Sequence, residues 1–317
     1  MSSAGELILQ HSQNFVDNPL YVSYTDKPWA RSYLPMQNLS VHSTVDQEGT
    51  FHATFDPAFL PLGDDEEKRA GEAVHPPNHR FWRLETEADM EHWWHTEISD
   101  IVLAAWARYP AVVQTCHTNP LRDVSISENV DSTYGVYIGN QRFPVAIGEV
   151  KRNLISPSQW QSGNLVAAQQ KLARELRGYA DKYECPHIFC WDGQTLLILQ
   201  FRARKPEHIR NADCPIDCWV IPVNGSTCTL RYALYRLMVQ GFRRCQAVAA
   251  AKPLSVGTLT EHGREFFTGR PIWRVGGQSS INHPEGYLRS VDGATGGLYW
   301  GHPMVEDTVW ETGGLWE

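Results

Sequence analysis

"FPVAIGEVKRN", residues 143–153, decides how the rest of the chain is read. Val145, Ala146 and Ile147 are apolar; Glu149 and Lys151 then follow, two residues apart. On a strand, residues two apart project to the same face. A strand that begins so apolar and then turns a carboxylate and an ammonium to one side carries either a solvated ion pair at its tip or a site. A solvated pair is worth well under ~1 kcal/mol, so the neighbouring elements decide between the two.

Upstream, "DSTYGVYIG" (131–139) is rich in β-branched and aromatic residues, and Gly139-Asn140 offers a tight turn into "QRFPVAIGEVKR" (141–152). This is an antiparallel hairpin that starts at Asp131 and ends at Glu149-Val150-Lys151. "AVVQTCH" (111–117) adds a strand before it. A helix is expected over about 86–108, with Met90, Trp94, Ile98, Ile101 and Ala105 on one buried face. Thr86 is its N-cap, acidic residues fill its first turn, and Pro110 marks its end. A second helix is expected over 161–183, with Gln169 as a polar residue in an otherwise apolar stripe of Leu165, Leu172, Leu176 and Tyr179. Residues 187–202 read as two strands around Asp192-Gly193, 218–223 as another, and 229–251 as a third helix.

The expected core is therefore α/β in the order α-β-β-β-α-β: a central mixed sheet flanked by helices, over residues 81–252. Residues 1–80 read as an irregular wrapping extension with a mobile loop near 62–78. Residues 253–317 form a Gly-rich extension whose Trp273, Trp300, Trp310 and Trp316 read as packing anchors.

Asp131 on one strand beside Glu149 and Lys151 on the next is the donor set of a metal site for phosphodiester hydrolysis. Mg²⁺ (or Mn²⁺) is a hard cation that takes oxygen ligands; Asp131, Glu149 and the Val150 carbonyl supply them. Such an ion polarises the scissile phosphate and activates a water, and Lys151 orients that water or stabilises developing charge. The competing reading of Asp131 is a turn cap, with Asp123 and Glu128 as rival acids.

These residues resemble the PD-(D/E)XK nuclease superfamily, the restriction-endonuclease-like fold, over roughly residues 85–205. Within it the chain is most similar to the nuclease-like domains common in fungal proteins, whose first helix carries Glu followed three residues later by Trp, as Glu91 and Trp94 do. The resemblance implies a metal-site role for Glu91, with Glu97 as the competing choice, and a site role for Gln169, with Gln170 as runner-up. Val130 stands where the motif has Pro, so only the Asp of "PD" is present.

The formal net charge of −8 argues against a protein that coats nucleic acid with its whole surface. A local basic surface is expected instead, from Lys151, Arg152, Arg202, Arg204, Arg243 and Arg244, with Arg231, Arg236 and Lys205 beside them. Tyr232, Tyr235 and Phe242 interleave with it, a weak stacking pattern. Seven cysteines without CxxC spacing fit neither a disulfide framework nor a zinc site, and the histidines form no HExxH. No signal-peptide pattern or apolar membrane span stands out, which points to an intracellular protein. The expected function is a Mg²⁺-dependent nuclease acting on DNA or RNA. The alternatives are a nuclease-like fold that no longer cuts and serves as an interaction module, or an enzyme of that fold acting on another substrate.

Overall fold

Seven strands make the main sheet of the computed structural model, which describes residues 1–12, 14–77, 80–108, 112–118 and 128–315. They are β1 (Leu39–Val41), β2 (Val112–Thr118), β3 (Val130–Ile138), β4 (Gln141–Val150), β5 (His187–Trp191), β6 (Thr195–Phe201) and β7 (Ile216–Pro222). Their spatial order is β1-β7-β6-β5-β4-β3-β2. β4 pairs parallel with β5, and β7 pairs parallel with β1; all other neighbours are antiparallel. The chain is thus mixed α/β around a large mixed sheet.

Turn chemistry fixes the two hairpins. Gly139 adopts φ +62° between β3 and β4. Between β5 and β6, Gly193 sits at φ +90°, and the Asp192 carboxylate accepts from the Gln194 and Thr195 amides at 3.0 and 2.8 Å. Every residue of β5 and β6 is buried, which explains their continuous apolar run: each face is covered.

Helix α1 (Glu87–Trp93) starts at a capping box in which Thr86 and Asp89 satisfy each other's backbone. It continues through a π-helical stretch, Trp94–Ser99, and ends with Asp100–Ala104. Its buried face includes Met90, Trp94, Ile98, Ile101 and Ala105. With α3 (Leu230–Ala249) it covers one side of the sheet, where Trp93 stacks on Trp191 at 4.9 Å and Trp94 on Phe189 at 5.0 Å. On the other side α2 (Ala168–Lys182) packs Leu172, Leu176 and Tyr179 against Ile147, Ile188 and Cys190. Among the described residues no helix is long and apolar enough to cross a membrane.

One irregularity positions the strand end. The β3–β4 register slips between Pro144 and Ala146, then pairs Ala146 with Tyr134, Ile147 with Thr133 and Gly148 with Ser132. α3 grips this bulge. Arg244 and Cys245 donate to the Pro144 carbonyl at 3.0 and 3.3 Å. Gly241 lies so close that a Cβ there would stand 2.1 Å from the Val145 oxygen. Continued by one residue, the register after the bulge sets Asp131 opposite Glu149.

Several expectations are corrected. The helix expected over 161–183 is two: Pro157–Ser162 ends at Gly163, whose φ of +73° breaks the helix, and α2 begins only at Ala168. The N-terminal stretch supplies β1 and a helix, Ala4–Ile8, that packs into the core. Within 62–78, expected as a loop, lies a helix, Glu66–Gly71, whose Arg69 is ion-paired to fully buried Asp65 at 2.7 Å. The C-terminal extension forms a two-stranded and two three-stranded antiparallel sheets among the described residues, with Trp273 and Trp300 packed edge-to-face at 5.4 Å. Pro110, Asp123 and Trp316 lie outside the described residues.

Candidate functional site

The site is built at the end of β4 and the start of β3. The Val150 amide donates to Asp131 Oδ2 at 2.6 Å, so the first residues of β3 hold the last residues of β4 by side chain as well as by ladder. Glu149 and Lys151 point toward α2 and are buried, at 3% and 5% exposure. The Lys151 ammonium is ion-paired with Glu149 and, at 3.1 Å, with Glu175 Oε1 of α2. Glu149 Oε2 is buried and accepts no hydrogen bond among the described residues.

A second group adjoins the first. His117, at the end of β2 with φ +48°, reaches Glu91 Oε2 of α1 at 2.9 Å and Asp131 Oδ1 at 3.6 Å. One ligand atom from each of Glu91, His117 and Asp131 lies within 4.8 Å of the others. Asp131 joins the two groups, through His117 on one side and the Val150 amide on the other.

The electrostatics follow from burial and charge imbalance. Burial pushes the Glu149 carboxyl well above its ordinary value; Lys151 pulls it back, while Asp131 and Glu175 push it further. Asp131 is raised by burial against the opposing pull of the Val150 amide and Lys151. Glu91 is raised by burial and then by the Asp131 charge. Burial alone would favour neutral Lys151, but Glu149 and Glu175 together hold the ammonium above its ordinary value. Glu91, Asp131, Glu149 and Glu175 thus outnumber the cations Lys151 and His117 can supply. A hard divalent cation fits this set: carboxylate oxygens dominate, negative charge is in excess, and Glu149 Oε2 is a buried acceptor in want of a partner. The imidazole of His117 shifts the preference from Mg²⁺ toward Mn²⁺.

The structure places the remaining expected residues elsewhere. Gln169 is consumed by the 154–160 segment: its Oε1 accepts from the Ser156 amide at 3.1 Å and the Trp160 indole at 2.7 Å, and its Nε2 donates to the Leu154 carbonyl at 2.7 Å. It makes no hydrogen bond to Glu149 or Lys151. Glu97 is held by Asn14 at 3.0 Å and Trp82 at 3.1 Å, and Glu128 by Lys182 at 2.7 Å. Val150 offers Asp131 its N–H, and its side chain lies in the core.

The expected basic surface is corrected most strongly. Arg152 is fully buried, donating to the Asn18 and Leu84 carbonyls and pairing with Asp17 at 2.7 Å. Arg243 binds Asp65, Gln246 and the Gly296 carbonyl; Arg244 binds the Phe266, Pro144 and Glu184 carbonyls. Arg231 and Arg236 are buried as well, and Arg202 is spent on Asp217 at 2.8 and 2.6 Å. Only Arg204 and Lys205 of this group are exposed. The reason is the wrapping extensions: their irregular backbone leaves carbonyls without ladder partners, and a guanidinium with five donors satisfies several at once.

Sequence reasoning missed Glu175 and His117. Glu175 stands three residues after Leu172 and four before Tyr179, on the buried stripe of α2, so a charge on an apolar face was the available signal. His117 has no such signal. The N-terminal segment also reaches the site: Thr25 donates to Glu175, Ser23 donates to Glu87, and the Ser23 hydroxyl accepts from the Arg152 amide at 2.7 Å.

Comparisons of the chain with models of protein families, with curated proteins and with solved structures found no match.

Proposed function

We propose that the cluster at the end of β4 is the centre of a divalent-metal-dependent phosphodiester hydrolase, a nuclease with the restriction-endonuclease-like core that its motif resembles. The observation that carries this reading is the convergence of Asp131, Glu149 and Lys151 at one strand end, with Glu149 Oε2 buried and unsatisfied. Glu91, His117 and Asp131, whose ligand atoms lie within 4.8 Å of one another, would hold Mg²⁺ or Mn²⁺, with Glu149 as a further carboxylate beside Asp131. When bound, such an ion polarises a phosphoryl oxygen and lowers the pKa of an attacking water. Lys151 keeps a fixed positive charge beside these carboxylates, where it stabilises the charge that develops on phosphorus. Glu175 holds the lysine in position from the opposite side and keeps it protonated. The substrate class is DNA or RNA, carried by the motif; the buried arginines offer no support for it.

One observation favours a second reading, a non-cutting interaction module of the same fold. Lys151 is enclosed between two carboxylates, and the segment carrying Ser23 and Thr25 is tied to residues on both sides of it. The test is cleavage of mixed single- and double-stranded DNA and RNA by the purified chain with Mg²⁺, with Mn²⁺ and with chelator. Metal-dependent cleavage abolished by Asp131→Asn supports the hydrolase. Metal binding without any cleavage transfers the site to the second reading.

A further inference from the structure

We propose that the cleft between residues 60–64 and the C-terminal extension binds a compact organic anion, with Arg270 as its anchor. The cleft has a volume of about 210 Å³, roughly that of seven liquid-state waters. Three arginines line it, Arg243, Arg270 and Arg289, together with the apolar side chains of Leu62, Val291 and Leu298. Asp64 stands at its exposed rim.

The three arginines are not equivalent. Arg289 makes a bidentate pair with Glu311, at 2.8 Å for each bond. Arg243 is engaged by Asp65, Gln246 and the Gly296 carbonyl. The Arg270 guanidinium has no hydrogen-bond acceptor among the described residues, and its Nε is buried. Burial, and then the charge of Arg289, destabilise its cationic form, while Glu265 and Glu311 attract it only through space. A partly buried cation without an acceptor is costly, and no hydrogen bond from the described residues relieves that cost. A guanidinium fork is shaped for a carboxylate or phosphate. The apolar side chains suit the carbon skeleton that such a head group would carry. A small molecule with an anionic oxygen head and an apolar body therefore satisfies both kinds of lining side chain.

The full chain is titrated at low ionic strength with phenyl phosphate and phenylacetate, which distinguish the two head groups, and with phenol and inorganic phosphate as half-ligands. At least one of the two aromatic anions is expected to bind about tenfold or more tightly than either half-ligand. Arg270→Gln is expected to weaken that binding about tenfold or more, while leaving the melting temperature of the ligand-free protein unchanged or raised, because an unpaired charge has been removed. Arg270→Lys, which keeps the charge but not the fork, should recover only part of the affinity. The proposal is overturned if neither aromatic anion exceeds the half-ligands, or if Arg270→Gln binds as wild type does. It is equally overturned if Arg270→Gln lowers the ligand-free melting temperature or fails to fold, since the arginine would then be structural.

Discussion

Replacing Lys151 with methionine should destabilise the protein by about 4 kcal/mol at pH 8. The size follows from burial. An exposed ion pair contributes roughly 0–1 kcal/mol, but the side chains of Lys151, Glu149 and Glu175 retain only 6%, 4% and 0% of their exposure. Removing one partner of such a pair costs about 3–5 kcal/mol, because the other charge stays buried. Here two carboxylates lose the same cation, which favours the upper part of that range; proton uptake by Glu149 limits it. Methionine keeps most of the aliphatic stem, so lost packing is a minor contributor. The pH dependence has a definite sign. Glu149 is raised above its ordinary value in the fold, so its contribution to stability is complete below the ordinary carboxylate range and is lost as pH rises through the elevated value. Deleting Lys151 raises it further, and the gap between variant and wild type should widen from pH 5 to pH 8. Urea denaturation across that range measures it, with equal m-values as the check on two-state behaviour. Adding Glu175→Gln to the methionine variant should recover part of the loss, well beyond the ~0.5 kcal/mol allowed for additivity. A loss below about 1 kcal/mol at pH 8 with no pH trend would refute the buried triad.

Gln169→Met should cost roughly 3 kcal/mol in the same denaturation assay, because the Trp160 indole and the Ser156 amide lose their shared acceptor at about 1–3 kcal/mol each. Its affinity for Mn²⁺, read by calorimetry, should stay within about twofold of wild type, a change worth under ~0.5 kcal/mol. His187 is fully buried and held down at a pKa of about 3 from an ordinary 6.5. The unfolded chain takes up this proton first, so stability is complete above pH 6.5 and falls on acidification toward pH 3, at up to about 1.4 kcal/mol per pH unit. His187→Gln should flatten that slope by close to one proton in urea titrations between pH 7 and 4.5.

What the sequence made legible was local. The Thr86 cap, the Gly139-Asn140 and Asp192-Gly193 turns and the apolar stripe of α1 each depend on residues within a few positions of one another, and each occurs in the structure. Asp131, Glu149 and Lys151 were readable as neighbours because one short hairpin joins them. The failures are long-range. β1 is only three residues, too short for its alternation of Leu39 and Val41 to stand out, and its partner strand β7 lies far along the chain. Arg243 looked like surface charge because its partner Asp65 lies 178 positions earlier. Gln169 was rightly singled out as polar on an apolar stripe, yet a buried amide satisfied by its own preceding loop and one aimed at a metal look identical in sequence. The break at Gly163 was visible as a glycine and was overridden by the helical period on either side.

The most direct test of the hydrolase account is calorimetric titration of Mn²⁺ and Mg²⁺ into wild type, Asp131→Asn and Glu149→Gln, with nucleic-acid cleavage followed in the same samples. Wild type should bind Mn²⁺ more tightly than Mg²⁺ and cut only with metal present. Each variant should lose about tenfold or more in metal affinity, and its cleavage should fall in parallel. Wild type that binds neither ion, or variants that bind and cut as wild type does, would contradict the assignment of this cluster as a catalytic metal centre.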